Sequence, residues 1–209
     1  MNKRILAIGA AVLLGTAACG GDGDKGDKGD KGDGAGPGRG AMSSSAAPSS
    51  AAGHNAQDVM FAQMMIPHHR QAVQMSKVVA AGSGDAEVRR LAAQIERAQA
   101  PEIETMSGWL RQWGEQVPAE GAGQPAMDHH GGGMAGMMTP EQMAAFEKLK
   151  GEALDRRFLT MMIEHHEGAV TMAREEQAKG AHPAAKTMAG EIVRTQQDEI
   201  AAMRKLLRG

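Results

Sequence analysis

The chain has 209 residues and a formal net charge of −2, and 42% of its residues are hydrophobic while only 2% are aromatic. A core without Tyr must consist of Ala, Leu, Ile, Val and Met, which is typical of a helical bundle. The charge excludes the basic surface of a nucleic-acid-binding protein. The 17 Met and eight His residues, beside one Cys, favour binding of a soft or borderline metal ion, although any single Met is more simply explained as core packing.

Residues 1–18 are predicted to be a secretory signal peptide. Lys3 and Arg4 precede an apolar run that is too short to span a membrane, and small residues lead up to Cys19. The position of Cys19 resembles the lipobox of bacterial lipoproteins, which implies that Cys19 becomes the lipidated first residue of an exported protein on the extracytoplasmic face of the cell membrane. The alternative is secretion with a free thiol.

Residues 19–54 are predicted to be a disordered tether. The segment consists largely of Gly, Asp, Lys, Ser, Ala and Pro, and its few Gly-Asp-Lys triplets are too short a run for a collagen triple helix. A charge-balanced, Gly-rich segment behaves as a flexible chain. We expect it to hold the following domain away from the membrane.

One stretch of the sequence occurs twice. Residues 64–69 read Met-Met-Ile-Pro-His-His, and residues 161–166 read Met-Met-Ile-Glu-His-His. A shift of 97 residues aligns the two without a gap, and the match extends from the pair Asp58 and Asp155 to the pair Met106 and Met203. A register held over about fifty residues indicates an internal duplication.

Each copy is predicted to be a helical hairpin. The first covers residues 55–113, with a break at Gly82 to Gly84 and Asp85 as the N-cap of its second helix. The second covers residues 139–209. Two hairpins supply four helices, so the sequence predicts an all-α four-helix bundle that arose by duplication.

Residues 114–138 are predicted to be a Gly-rich linker between the hairpins. Thr139 is expected to cap the next helix, with Gln142 completing a capping box. That helix is expected to continue to about Lys179, with a weak point at Gly151, and the last helix to begin at Pro183. The linker also contains Met and His side chains that could form an accessory metal-binding loop: Met127, His129, His130, Met134, Met137 and Met138.

The repeated stretch places Met and His side chains along one helical face. At 100° per residue, Met64 lies within about 40° of His68 and Met75 within about 20° of it. The candidate metal ligands are the corresponding residues of the two copies: His68, His69, Met64, Met65 and Met75 in the first, and His165, His166, Met161, Met162 and Met172 in the second.

The second helix of each hairpin carries one carboxylate within its apolar stripe, Glu102 in the first copy and Glu199 in the second. A bare carboxylate costs several kcal/mol to bury, so each Glu needs a partner. We expect that partner to be a His of the same hairpin, whose ring the Glu would orient from behind the metal.

Thioether and imidazole together favour Cu(I), and by the same softness Ag(I). A ferritin-type di-iron site would need Glu-x-x-His on two helices, but Met65 and Met162 stand three residues before His68 and His165. Two alternatives stay open: an oxidoreductase with a dinuclear iron or manganese site, and a structural or interaction bundle whose His–Glu pairs only hold the core. We expect no enzyme, since the sequence offers no nucleophile with a base, no phosphate-binding loop and no Cys pair.

Three motifs resemble the bacterial domain-of-unknown-function family 305: Asp58-x-x-Phe61-x-x-Met-Met-Ile-Pro-His-His, Gln99-x-x-Glu102-Ile103, and the linker Gly-Met-Met-Thr-Pro-Glu over residues 136–141. The resemblance covers residues from about 55 to 207. It implies a ferritin-like four-helix bundle in an exported protein, and a copper-handling role for the paired His and neighbouring Met residues.

The two copies differ at two positions of the motif. Glu164 stands where the first copy has Pro67, and Gly168 where it has Gln71, so we expect the two halves of the site to be inequivalent. The sequence as a whole predicts a membrane-tethered, extracytoplasmic protein that sequesters or buffers Cu(I) or Ag(I). Its predicted partners are metal ions and, through a lipid anchor, the membrane.

Overall fold

The computed structural model describes residues 53–120 and 135–209. The predicted signal peptide, the lipidation site Cys19, nearly all of the predicted tether and the middle of the linker lie outside these residues. All regular secondary structure in these residues is α-helical. The five helices are α1 Ala56–Gly82, α2 Ala86–Trp113, α3 Pro140–Phe146, α4 Gly151–Lys179 and α5 Pro183–Arg208.

Polar side chains start four of these helices. Asn55 forms a capping box at the start of α1, and the Asp85 carboxylate accepts hydrogen bonds from the N–H groups of Glu87 and Val88 at the start of α2. Thr139 and Gln142 form the predicted capping box of α3, and the His182 ring accepts the N–H of Ala185 in α5. The caps predicted at Asp85 and Thr139 are therefore confirmed.

The single helix expected from Thr139 to Lys179 is wrong, because the structure divides it into α3 and α4. Gly151 has a φ of 55°, a left-handed conformation that favours glycine and cannot continue a helix from the preceding residue. Phe146, at the end of α3, is buried in the core. The bundle therefore has four long helices, as predicted, and one short helix in addition.

The helices pack as two hairpins side by side. α1 lies along α2, α4 lies along α5, and the hairpins meet mainly where α1 contacts α4. Two apolar clusters fill the interior, one around Ile95, Phe146 and Phe158 and the other around Phe61 and Ile192. The all-α bundle of two duplicated hairpins is thus confirmed, with the middle of α1 and α4 between the two clusters.

Two buried carboxyl groups lie at one end of the bundle, and one of them joins α1 to the segment before α5. Asp58 of α1 accepts hydrogen bonds from the N–H groups of Ala181 and His182, just before α5. Glu176 of α4 is also buried, and its pKa is raised to about 8 by burial first and then by the neighbouring Asp58 carboxyl. The Glu176 carboxyl group is therefore mostly protonated at neutral pH.

None of the described helices is both long and apolar enough to cross a membrane.

Candidate metal centre

His68 of α1 and His165 of α4 meet at the middle of the bundle. Their ring centroids are 3.7 Å apart with an angle of 39° between the ring planes, and neither residue is exposed to solvent. The two residues occupy the same position in the two copies of the repeat. Each copy therefore contributes one imidazole to a single central pair.

The adjacent histidines form two matching pairs with carboxylates. Nε2 of His69 lies 2.7 Å from Oε2 of Glu102, and Nε2 of His166 lies 2.7 Å from Oε2 of Glu199. The Glu side chains are 22% and 12% exposed, while both His side chains are fully buried. This is the pairing that the carboxylates in the two apolar stripes predicted.

These hydrogen bonds fix which ring nitrogen is available to a metal. A carboxylate accepts, so Nε2 of His69 and of His166 carries the hydrogen, and Nδ1 of a neutral ring then keeps its lone pair. Nε2 of His68 likewise lies 3.3 Å from the carbonyl oxygen of Ala135, to which it donates. The Nδ1 atoms of all three rings, and both nitrogens of His165, are buried without a hydrogen-bond partner among the described residues.

The central pair is uncharged at neutral pH. Burial, and next the proximity of His69, lower the pKa of His68 to about 3. Burial, and next the ring of His68, hold the pKa of His165 well below its usual range. A metal ion can therefore be bound by these rings without displacing a proton.

The predicted Met ligands lie at different depths. Four are completely buried, while Met64 and Met172 are half-buried. Of the buried four, Met65 belongs to the cluster around Phe61, and the others belong to the cluster around Phe158: Met75, Met161 and Met162. Thioether groups thus lie in both apolar clusters that adjoin the histidine pair.

No group of three or more His, Cys, Asp or Glu side chains is arranged to hold a metal ion within residues 53–120 and 135–209. The carboxylates of Glu102 and Glu199 are engaged by Nε2 of the neighbouring histidines. The donors at the centre are therefore imidazole nitrogens, with thioether sulfurs in the adjoining clusters.

Residues 135–138 cross the histidine pair, and we call this segment the strap. In addition to the contact between Ala135 and His68, a Cβ atom at Gly136 would overlap the carbonyl oxygen of Glu164 and lie 2.9 Å from Cα of His165. Gly136 has a φ of 80°, which also requires glycine. The strap therefore contacts both helices that carry the pair.

Gln71 and Gly168, which are equivalent in the two copies, hold the strap in different ways. The Gln71 side chain donates from Nε2 to the carbonyl oxygen of Met138 at 2.8 Å and accepts the N–H of Met138 at Oε1 at 2.7 Å. A Cβ atom at Gly168 would overlap the carbonyl group of Ala135. In the first copy Gln71 thus hydrogen-bonds to the strap, and in the second copy the lack of a side chain at Gly168 leaves space for it. Sequence reasoning missed this role, although the mismatch between the two copies was its signal.

Part of the predicted accessory loop lies on the strap. Met138 is buried in the cluster around Phe158, and Met137 is half-buried. The other predicted loop ligands lie outside the described residues: Met127, His129, His130 and Met134.

Two buried amides near the centre were also not predicted as site residues. Gln99 and Gln196 are equivalent in the two repeats and stand one helical turn before Glu102 and Glu199. Both side-chain polar atoms of Gln99, and Oε1 of Gln196, have no hydrogen-bond partner among the described residues. The middle of the bundle therefore contains buried polar atoms of these amides in addition to those of the histidines.

The fold and sequence are similar to several solved structures. A DUF305 protein from Streptomyces coelicolor, described as secreted, is 37% identical with a TM-score of 0.66, and the match covers 73% of this chain and 92% of that one. A DUF305 fragment from Deinococcus radiodurans is 32% identical with a TM-score of 0.64, covering 73% and 96%.

A third similar structure is CopM in its Cu(I)-bound form, which is 30% identical with a TM-score of 0.59 and is matched over 72% of this chain and 95% of CopM. CopM has also been solved in Cu(II)-bound and Ag-bound forms. No protein of curated function matches the sequence.

The family model for the domain of unknown function DUF305 matches residues 58–207, which include all five helices except the first two residues of α1 and the last residue of α5. The chain belongs to the DUF305 family.

Proposed function

We propose that this protein binds Cu(I), and by the same chemistry Ag(I), and so sequesters or buffers the ion outside the cytoplasm. The observation that carries the proposal is the buried pair of His68 and His165, flanked by His69 and His166, whose Nδ1 atoms have no hydrogen-bond partner among the described residues. Imidazole nitrogen is a good copper ligand, and thioether selects the monovalent ion.

The charge of the ion supports Cu(I) over a divalent metal. Because the desolvation cost of an ion rises with the square of its charge, a divalent ion is far more expensive to bury among neutral rings than a monovalent one. The Cu(I)-bound and Ag-bound forms of CopM support the same chemistry, while its Cu(II)-bound form shows that this relative also takes the divalent copper ion.

The proposed ligands are the four histidines, with buried Met65, Met75, Met161 and Met162 from the adjoining clusters and half-buried Met64 and Met172 at the edge. Glu102 and Glu199 would fix the rings of His69 and His166 from behind. The Met- and His-containing linker would serve as an accessory site.

The proposal includes export and attachment to the membrane. Cys19 would carry the lipid, and the tether would separate the bundle from the membrane surface. The secreted description of the Streptomyces coelicolor relative supports export.

The test is an anaerobic titration of the chain from Gly20 onward, which omits the Cys19 thiol, with Cu(I) against a competing chelator and with Fe(II) run in parallel. We expect tight Cu(I) binding at a small whole-number stoichiometry, weakened at least 100-fold by combined His68→Ala and His165→Ala substitutions. A His54→Ala variant is the control, since His54 stacks on Trp113 with ring centroids 4.4 Å apart, away from the centre.

Two other outcomes would contradict the proposal. Saturable Fe(II) binding without Cu(I) binding would favour the dinuclear oxidoreductase. Binding of neither ion would favour a bundle whose His–Glu pairs are purely structural.

A further inference from the structure

The strap covers one side of the central pair, and helices α2 and α5 lie on the opposite side. On α1, His69 faces Glu102 of α2, and Gln71 holds the strap two residues later. Two residues are 200° apart around a helix, so these contacts lie on nearly opposite sides of α1. The same spacing separates His166, which faces α5, from Gly168 under the strap. An ion that approaches the pair from the side away from α2 and α5 therefore meets the strap.

Gln71 supplies the polar attachment of the strap to α1. Its amide pairs with both backbone groups of Met138, while the Met138 side chain is buried in the core. The remaining hydrogen bond, between His68 and Ala135, is longer at 3.3 Å. Among the residues that the structure describes, loss of the two Gln71 bonds would leave the strap attached to α1 by one weak hydrogen bond and by apolar contact.

We propose that Gln71 sets the rate at which a metal ion enters and leaves the histidine pair, by holding the strap closed over it. This inference rests on the proposed function, because it takes the pair as the metal-binding centre. Removing two hydrogen bonds of ordinary net strength makes strap opening about 30-fold more frequent. Since the strap closes over the empty and the filled centre alike, capture and release accelerate together and the dissociation constant changes little.

The test measures Ag(I) capture and release by stopped flow for the wild-type chain and for Gln71→Ala. Gln74→Ala is the matched control, because Gln74 lies on the same helix and donates to the Glu147 side chain instead of to the strap. We expect both rates to rise about 10- to 30-fold in Gln71→Ala, with less than a 3-fold change in the dissociation constant, and neither rate to change in Gln74→Ala.

A second measurement does not depend on metal. In the metal-free protein, hydrogen exchange at the Met138 amide should be about 30-fold faster in Gln71→Ala than in wild type, because its acceptor is removed. Gly168→Ala provides an independent variant, since it displaces the strap from α4 instead of α1.

The outcomes separate the two proposals. Ag(I) binding with unchanged rates in Gln71→Ala, or a faster release without faster capture, would overturn the role of Gln71 and leave the proposed function standing. Absence of Ag(I) and Cu(I) binding by the wild-type chain would overturn both.

Discussion

His68 and His165 are equivalent residues of the two repeats, and their rings face each other at a centroid distance of 3.7 Å. The duplication has therefore produced one pair of imidazole rings at the contact of the two hairpins. A buried neutral imidazole pair is stable only while neither ring is protonated, which makes the pair sensitive to acid.

We expect the metal-free protein to lose stability as the pH falls below about 6.5. Between that value and the folded pKa of about 3, the unfolded state binds a proton at His68 that the folded state excludes. The unfolding free energy should then fall by about 1.4 kcal/mol per pH unit for this residue, with a further contribution from His165. Urea denaturation at several pH values measures the slope. A variant with Leu at both positions should have a flatter slope, and an equal slope would contradict the assignment.

Glu102→Gln and Glu199→Gln should each weaken Cu(I) binding by about 10- to 100-fold, because each carboxylate fixes the tautomer and orientation of one imidazole. The two pairs have the same geometry, so the effects should be similar. Chelator competition provides the dissociation constants, and Glu104→Gln, at an exposed position of α2, is the control. Full affinity in both variants would show that His69 and His166 do not bind the metal.

Glu176→Gln should remove a pH dependence of the opposite sign. The folded pKa of about 8 exceeds the usual value of 4.5, so the folded state keeps a proton that the unfolded state has lost between these values. The unfolding free energy of the wild type therefore falls by about 1.4 kcal/mol per pH unit from this group as the pH rises through the window. Subtracting the pH slope of the variant from that of the wild type gives the contribution of Glu176, because the histidine contribution is the same in both. Glu152→Gln, exposed on the same helix, should leave the slope unchanged.

Gly168→Ala and Gly108→Ala should change stability in opposite directions. An added methyl group at residue 168 overlaps the carbonyl group of Ala135 and should cost about 1–3 kcal/mol. Gly108 lies within α2 with open space around it, so Ala should stabilise the helix by about 0.5–1 kcal/mol. Thermal or urea denaturation measures both. Equal effects would mean that the strap is not seated on α4.

The sequence predicted the features that depend on local pattern. The spacing of 97 residues identified the two hairpins, the side chains of Asp85 and Thr139 predicted their caps, and the position of Glu102 in an apolar stripe predicted a buried partner. These signals depend on residues a few positions apart, or on direct comparison of the two copies.

Other features depend on contacts between segments that are distant in the sequence. The sequence predicted a weak point at Gly151 but not a left-handed conformation that begins a new helix, because glycine is also tolerated within a helix. The contact of His68 with Ala135 joins residues that are 67 positions apart in the sequence, and no periodicity predicts it. The difference between Gln71 and Gly168 was visible in the sequence. Its role could be recognised only from the structure, which shows that both residues contact the strap.

That mismatch has a consequence for how such a centre could arise. Two identical hairpins associating as separate molecules would carry the same residue at both equivalent positions, and a strap from each would compete for the same space over the histidine pair. Because the hairpins are joined in one polypeptide, the two positions can differ. Gln71 can then hydrogen-bond to the strap, while Gly168 leaves space for it. The covalent connection thus permits one strap, held differently by the two copies, to lie over two equivalent histidines. A symmetric homodimer of identical subunits could not build this arrangement.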